Sequence, residues 1–267
     1  MEYREWKDLL LPYEVAVEEL KNKMKSIRKE YQSKGEYSPV EFVTGRIKKV
    51  TSILDKAKKL EIPFDKITEQ MEDIAGIRVV CQLVDDIYTV VHLIEQRTDM
   101  QVMYVKDYIA NAKGSGYRSY HVIVKYTVQT IDGAKEILAE IQIRTLAMNF
   151  WATVEHSLNY KYNKELPEDL RIRLRRAADA AFILDNEMSE IREEIVRAQE
   201  HFTQKSEAVK DAVDSIRMLH KMGYDKDAIL LQQQLDVINS MDSVDALGIL
   251  QQRIDRLVNK AKGTDEE

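Results

Sequence analysis

Cysteine is almost absent from this chain. Cys81 is its only one in 267 residues, so no internal disulfide and no cysteine-built metal site can form. Its setting, IRVVCQL, reads as a buried strand thiol. No apolar run approaches the ~20 residues that cross a bilayer. The opening MEYREWKDLL has no apolar signal core, which favours a cytoplasmic protein without a membrane partner. An excess of positive charge is missing as well: 40 Lys and Arg face 46 Asp and Glu, for a net charge of −6. General affinity for nucleic-acid backbone is therefore not expected, which leaves room only for a short single strand of RNA in a local basic cleft. Two nucleotide signatures are also lacking, GxxxxGK followed by Ser or Thr, and GxGxxG before a helix. His156 has no second histidine at zinc-ligand spacing, and His92, His201 and His220 stand alone on helical stretches. All four read as structural or surface residues.

Against these absences, apolar residues make up 44% of the chain, enough for a core. The fold class expected is α+β, a mixed, mostly antiparallel sheet flanked by helices, followed by a long helical C-terminal part. Apolar residues from Leu9 to Tyr31 recur at steps of three and four and predict a helix over 5–32. KGEYSP breaks it, and a second helix is expected from about 40 to 60. A short helix, DKITEQMED, precedes Gly76, and 85–97 is helical by spacing. IRVVCQL, MQVMYVKDYI, HVIVKYTVQT and KEILAEIQIR predict strands. In the last, Glu140, Gln142 and Arg144 fall on one face and Ile141 and Ile143 on the other. IDG at 131–133 predicts a hairpin turn. Leu174, Ala177, Ala181, Leu184, Met188, Ile191, Ile195, Ala198 and Phe202 then form a heptad stripe, which Lys205 interrupts. Further helices are expected over 207–261, with joints at Gly223 and 241–243, ending in a frayed KGTDEE.

Three stretches carry chemistry. KGSGYRSYH, residues 113–121, sets two glycines among cations with a tyrosine and a histidine behind. It suits a nucleotide, with phosphates for Lys113 and Arg118 and a base for Tyr117, or it is an ordinary turn entering a strand. KNKMKSIRK (21–29) holds only cations among its charges, and RIKKVTSILDKAKK (46–59) holds many cations and one acid. Each is a polyanion-binding helix or a solvated face. Asp73 in EDIAGIR and Glu140 inside an apolar strand are carboxylates in costly places. On neighbouring strands they would hold Mg²⁺ between protein and phosphate. Otherwise Asp73 is a helix-end turn residue and Glu140 an ion-pair partner of Arg78 or Arg144.

In order, GRIKKVTSILDKAKK, EDIAGIRVVC, KGSGYRSYH and EIQIRTLAMNFWATVEHSLNYKY resemble the synthetase domain of the RelA/SpoT-type alarmone enzymes. The likeness is closer still to the stand-alone small alarmone synthetases of Gram-positive bacteria, and it covers roughly residues 5–200. It implies a nucleotidyltransferase-like synthetase domain over 1–204, with 205–267 a helical extension of unassigned role. It implies transfer of pyrophosphate from ATP to the 3′-hydroxyl of GTP or GDP, giving pppGpp or ppGpp and AMP. Synthesis without hydrolysis is expected, since no hydrolase domain precedes these motifs. By position, Asp73 and Glu140 would be the catalytic and magnesium-binding pair. Arg46, Lys48, Ser52, Lys56, Lys59 and Arg78 would bind ATP. Lys113, Tyr117, His121, Gln142 and Asn149 would bind GTP or GDP. The family's small members form homotetramers, and some are activated by product between subunits. The residues resembling that site are Lys21, Lys25, Arg28, Glu41, Phe42 and Thr44, with Asn149 nearby. The readings that compete are a nucleotidyltransferase relative with another donor or acceptor, and an inactive alarmone-binding or RNA-binding regulator.

Overall fold

The computed structural model describes residues 3–161, 167–241 and 244–263. The chain divides into two compact units, Met1–Ser189 and Glu190–Glu267. The first is built on a five-stranded sheet in the order β1-β2-β5-β4-β3. Its strands are β1 (Phe42–Ile47), β2 (Ala75–Cys81), β3 (Gln101–Asp107), β4 (Tyr120–Thr130) and β5 (Gly133–Thr145). Only the β2–β5 pair is parallel; the other pairs are antiparallel, so the expected mixed and mostly antiparallel sheet is what forms. The IDG turn closes the β4–β5 hairpin, with Thr130 opposite Gly133 and Gly133 at φ +102°.

Helix α1 (Tyr3–Ser33) packs Tyr13, Ala16, Val17, Leu20, Met24 and Ile27 into the sheet's core. Leu20 and Met24 are wholly buried, each worth roughly 1.5–3 kcal/mol on burial. Helix α4 (Val84–Glu95) buries Ile87, Val90, Val91 and Ile94 in the same core. Cys81 is buried there too, and its thiol pKa is pushed well up by burial and then by Asp86.

The helix expected over 40–60 does not form as one element. Phe42–Ile47 is the edge strand β1, and only Val50–Lys59 is helical, as α2. Val43 is buried opposite Val79, and Gly45 lies so close under α1 that a Cβ there would meet Val17 Cγ1 at 2.6 Å. Glycine is what lets α1 close over the strand. The short helix before β2 is likewise broken, into a 3-10 turn (Phe64–Lys66) and one α-turn, α3 (Ile67–Gln70).

After β5 come α5 (Leu146–Lys161) and α6 (Glu168–Lys221). Lys205 interrupts the apolar stripe but not α6, so the expected division at 204 falls inside a helix, and the compact units part at Ser189. Near the start of the stripe Ala178 packs on Trp151 and Ala152, and Phe182 joins the sheet's core. From Leu184 to Phe202 its Leu, Met, Ile and Phe members are exposed. In the second unit, the end of α6 packs with α7 (Asp225–Ser240) and α8 (Val244–Lys262) around Ile216, Leu219, Leu231, Leu235, Leu250 and Ile254. Gly223, at φ +86°, makes the expected joint. Asp242, Ser243 and the last four residues, on which the second joint and the frayed tail fall, lie outside the described residues. Among those described, no helix is long and apolar enough to cross a membrane.

Candidate active site

The parallel β2–β5 pair brings the two carboxylates together. Asp73 stands just before β2, and Glu140 on β5 lies opposite Gly76. Both line a narrow recess with Thr44, Arg46, Arg78 and Gln142. The recess opens into a cleft of about 570 Å³ walled by six cations: Arg46, Lys56, Arg78, Lys106, Lys113 and Arg144. Crowded cations show in their titration. The Arg78 guanidinium is pulled down by burial and then by Arg144 and Arg46. The Lys113 ammonium is likewise lowered, chiefly by burial.

One end of the cleft is held by ion pairs. Asp73 Oδ2 accepts from Lys48 Nζ at 2.8 Å and lies 2.9 Å from Lys56 Nζ. Burial raises its pKa, but the two lysines outweigh that and hold it below the usual carboxylate value. Asp73 Oδ1 is buried without a hydrogen-bond partner. Among the described residues no three potential metal ligands cluster. An orphaned carboxylate oxygen beside one further acid suits Mg²⁺, which takes few protein ligands and completes its shell with water and phosphate oxygens.

The other end is a closed ring of hydrogen bonds. Arg144 Nη2 donates to Tyr117 Oη at 2.6 Å and to Gln142 Oε1 at 2.8 Å. Gln142 Nε2 donates to Glu140 Oε2 at 2.7 Å. His121 lies between the others, with Nδ1 2.8 Å from Glu140 Oε1 and Nε2 2.8 Å from Tyr117 Oη. Since a carboxylate only accepts, Nδ1 carries the proton. Burial raises the Glu140 pKa, but the His121 bond and charge, Gln142 and Lys56 bring it down to about 2. The residue thus stays ionised at any working pH. The alternative reading, an ion pair of Glu140 with Arg78 or Arg144, does not form among the described residues; its partners are His121 and Gln142.

The 113–121 loop is pinned from behind. Gly116 N bonds Lys113 O at 2.8 Å, and at φ +89° a Cβ on Gly116 would meet Ala178 Cβ at 2.7 Å. Arg118, read from sequence as a phosphate cation, points instead to α6. Both its Nη atoms reach Asp179 Oδ1 at 3.2 Å, and its guanidinium lies 4.4 Å from the Phe182 ring centre. Among the described residues Lys113 is the loop cation without an ion pair, and its Nζ sits over the Tyr108 ring at 4.4 Å and the Tyr117 ring at 4.9 Å.

Arg46, Lys56, Asp73, Arg78, Lys113, Tyr117, His121, Glu140 and Gln142 therefore share one cleft, with Lys48 attached through Asp73. Ser52 and Lys59 are exposed on α2, outside the lining. Asn149, on α5, is also outside it, with its Oδ1 buried and unbonded. Lys21, Lys25 and Arg28 follow one another along α1, and Arg28 reaches Glu41 beside β1 at 3.6 Å; Phe42 and Thr44 are exposed on that strand. Sequence reasoning missed Lys106, Tyr108 and Glu155, and it set His156 aside although it lines the cleft. Lys106 has a traceable cause, since it pairs with Glu72 at 2.9 Å only across β3 and the β2 approach.

A family model described as the region found in RelA / SpoT proteins matches residues 45–165. GTP pyrophosphokinase YjbM of Bacillus subtilis is 55% identical over 205 residues, 77% of this chain and 97% of that one. Small alarmone synthetase 1 of the same organism, in a crystal structure bound to its product pppGpp, is 56% identical; the match covers 72% of this chain and 98% of that one with a TM-score of 0.70. A structure of that synthetase bound to AMPCPP is 51% identical over 73% of this chain and 99% of that one, with a TM-score of 0.65. On these likenesses the chain belongs to the RelA/SpoT family of GTP pyrophosphokinases, among the small alarmone synthetases.

Proposed function

We propose that the protein transfers the β,γ-pyrophosphate of ATP to the 3′-hydroxyl of GTP or GDP. The observation that carries this reading is the pair of carboxylates, Asp73 just before β2 and Glu140 on the neighbouring β5, one with an unbonded oxygen, inside a cleft walled by six cations. The relatives bound to pppGpp and to AMPCPP support the same substrates. In the reaction the 3′-oxygen forms a bond to the β-phosphorus. The bond from that phosphorus to the α–β bridging oxygen breaks, AMP leaves with the electron pair, and the 3′-hydroxyl proton passes to solvent.

Asp73 and Glu140 would hold Mg²⁺, which when bound neutralises phosphate charge. Lys48 and Lys56, now on Asp73, and Arg46 and Arg78 bind the ATP phosphates. Lys113 exchanges two aromatic faces for acceptor phosphates, which uncovers Tyr117 for the guanine. Glu140 faces the attacking hydroxyl. Each of its oxygens accepts one hydrogen bond and retains a lone pair for another. A carboxyl with a pKa of about 2 is a weak base, so it orients the hydroxyl and stabilises charge more than it draws the proton away.

The test is chromatography of purified protein with Mg²⁺, ATP and either GTP or GDP. Equal amounts of AMP and a 3′-pyrophosphorylated guanosine nucleotide are expected. No product, even with pppGpp added as activator, would remove the active-enzyme reading.

The α1–β1 face is proposed to bind that product as a regulator, in a homotetramer. Lys21, Lys25 and Arg28 lie four and then three residues apart along α1, Arg28 reaches Glu41 at 3.6 Å, and Phe42 and Thr44 are exposed on the edge strand that follows Glu41. Lys25→Ala should abolish stimulation by added pppGpp while leaving the unstimulated rate within twofold.

A further inference from the structure

Arg144 is buried, only 4% exposed, yet among the described residues it has no carboxylate within ion-pair distance. Its partners are neutral: Ser119 Oγ at 3.2 Å from Nε, with Tyr117 and Gln142 on Nη2. Arg78, a half-buried cation beside it, adds repulsion. A lone buried guanidinium is among the costlier things a fold can hold, and such departures from good packing cluster at functional sites. What it accomplishes is visible in its bonds. Its Nη2 reaches both arms of the ring that closes on Glu140, fixing the phenol that sets the His121 ring and the amide that holds Glu140 Oε2, while Nε of the same planar group bonds Ser119. Its guanidinium carbon also lies 5.0 Å from the Tyr117 ring centre, which fixes the plane of the aromatic face. Ser119, wholly buried, donates in turn to Ile143 O at 3.3 Å and anchors the fork to the sheet.

We propose that Arg144 is a positioning residue for the acceptor side of the site. It acts through Tyr117 and Gln142 to hold the guanosine-stacking ring and Glu140 in register, and it has no part in binding ATP. This rests on the pyrophosphotransfer reading above.

The experiment measures kcat and the two KM values for the full-length wild type, Arg144→Gln, Arg144→Lys, Tyr117→Phe and the Arg144→Gln/Tyr117→Phe double variant. Calorimetric binding of GTP to each accompanies the kinetics. Arg144→Gln should raise the acceptor KM at least tenfold, lower kcat, and leave the ATP KM within twofold. Arg144→Lys, which keeps the charge without the planar fork, should fall between it and the wild type; if Arg144→Gln does not fold, this variant decides alone. Tyr117→Phe keeps the ring and removes the shared phenol, so the double variant should lose less than the product of the two single losses. Equal rises in both KM values, or fully multiplicative losses, would overturn the proposal. A wild type that binds GTP without turning it over would sink the pyrophosphotransfer reading alone. The GTP affinities of the variants would then decide on Arg144, with a tenfold loss expected and unchanged affinity counting against it.

Discussion

The two compact units bury different things. The core of the helical unit is wholly aliphatic, from Ala212 through Leu219 and Leu235 to Val258. Among the described residues, the buried polar or charged ones, Asp86, Ser119, His121, Arg144, Thr145 and Asp185, all lie in the sheet unit. Three of those six belong to the ring around Glu140 or to its anchor. Apolar burial holds a helical unit together without further help, whereas polar burial costs stability unless each group is satisfied. The sheet unit bears that cost where the cleft lies; in the helical unit the described exception to apolar burial is Gln251 Oε1, which is buried without a partner. Chemistry is therefore expected of one unit and only shape of the other.

The largest test of this contrast is Glu140→Gln. The amide keeps the side chain's size and can still accept from His121, but the charge is gone. Product formation should fall about 10³-fold, with a lowered melting temperature, since the surroundings favour the ionised carboxylate and Gln142 Nε2 loses its acceptor. Retention of a tenth or more of the activity would show that the buried carboxylate is structural.

Leu219→Ala comes next. Leu219 is wholly buried in the aliphatic core. Truncation should cost about 2–5 kcal/mol in urea unfolding of that unit, while turnover stays within twofold. A parallel loss of turnover would break the contrast and make the helical unit part of the working enzyme.

Asp185 tests polar burial away from the chemistry. It is 4% exposed on α6, accepts from Thr145 Oγ1 at 2.6 Å, and burial lifts its pKa to about 6 against that one opposing bond. The folded chain therefore keeps this proton between its ordinary value near 3.8 and about 6, where the unfolded chain has lost it. Stability from this group is full below that window, declines as pH rises through it, and is absent above. Asp185→Asn, which cannot ionise, should match the wild type near pH 3.5 and exceed it by about 1–3 kcal/mol at pH 7.5. Melts at the two pH values decide; an equal gap at both would show that packing and not ionisation sets the difference.

Much of the sheet unit was legible because β5 alternates cleanly, so Glu140, Gln142 and Arg144 could be placed on one face from sequence alone. Its flanking hairpin and the β2 run were equally plain. β1 was not: a six-residue edge strand with one buried position carries little periodicity, and the reason for Gly45 exists only once α1 lies over it. Arg118 and Lys113 look alike in sequence, and only the position of Asp179 and Phe182 on α6 separates an anchor from a ligand-facing cation. The histidine–glutamine partnership of Glu140 depends on strand register, which the β4–β5 pairing sets by placing His121 opposite Gln142.

The basic helix α2 gives the finest form of the comparison, inside a single element. Lys56 and Lys59 are three residues apart and chemically identical. Lys56 is half-buried on Asp73 and walls the cleft, whereas Lys59 is exposed and outside the lining. Removing Lys56 strips a phosphate partner and leaves Asp73 with Lys48 alone, so Lys56→Ala should raise the ATP KM by roughly tenfold. Lys59→Ala removes a solvated charge and should change the same constant less than twofold. Steady-state kinetics with ATP varied at saturating GTP measures both. Equal effects would mean that α2 turns on binding ATP and brings Lys59 to the phosphates, and the division between site and surface within the helix would fail.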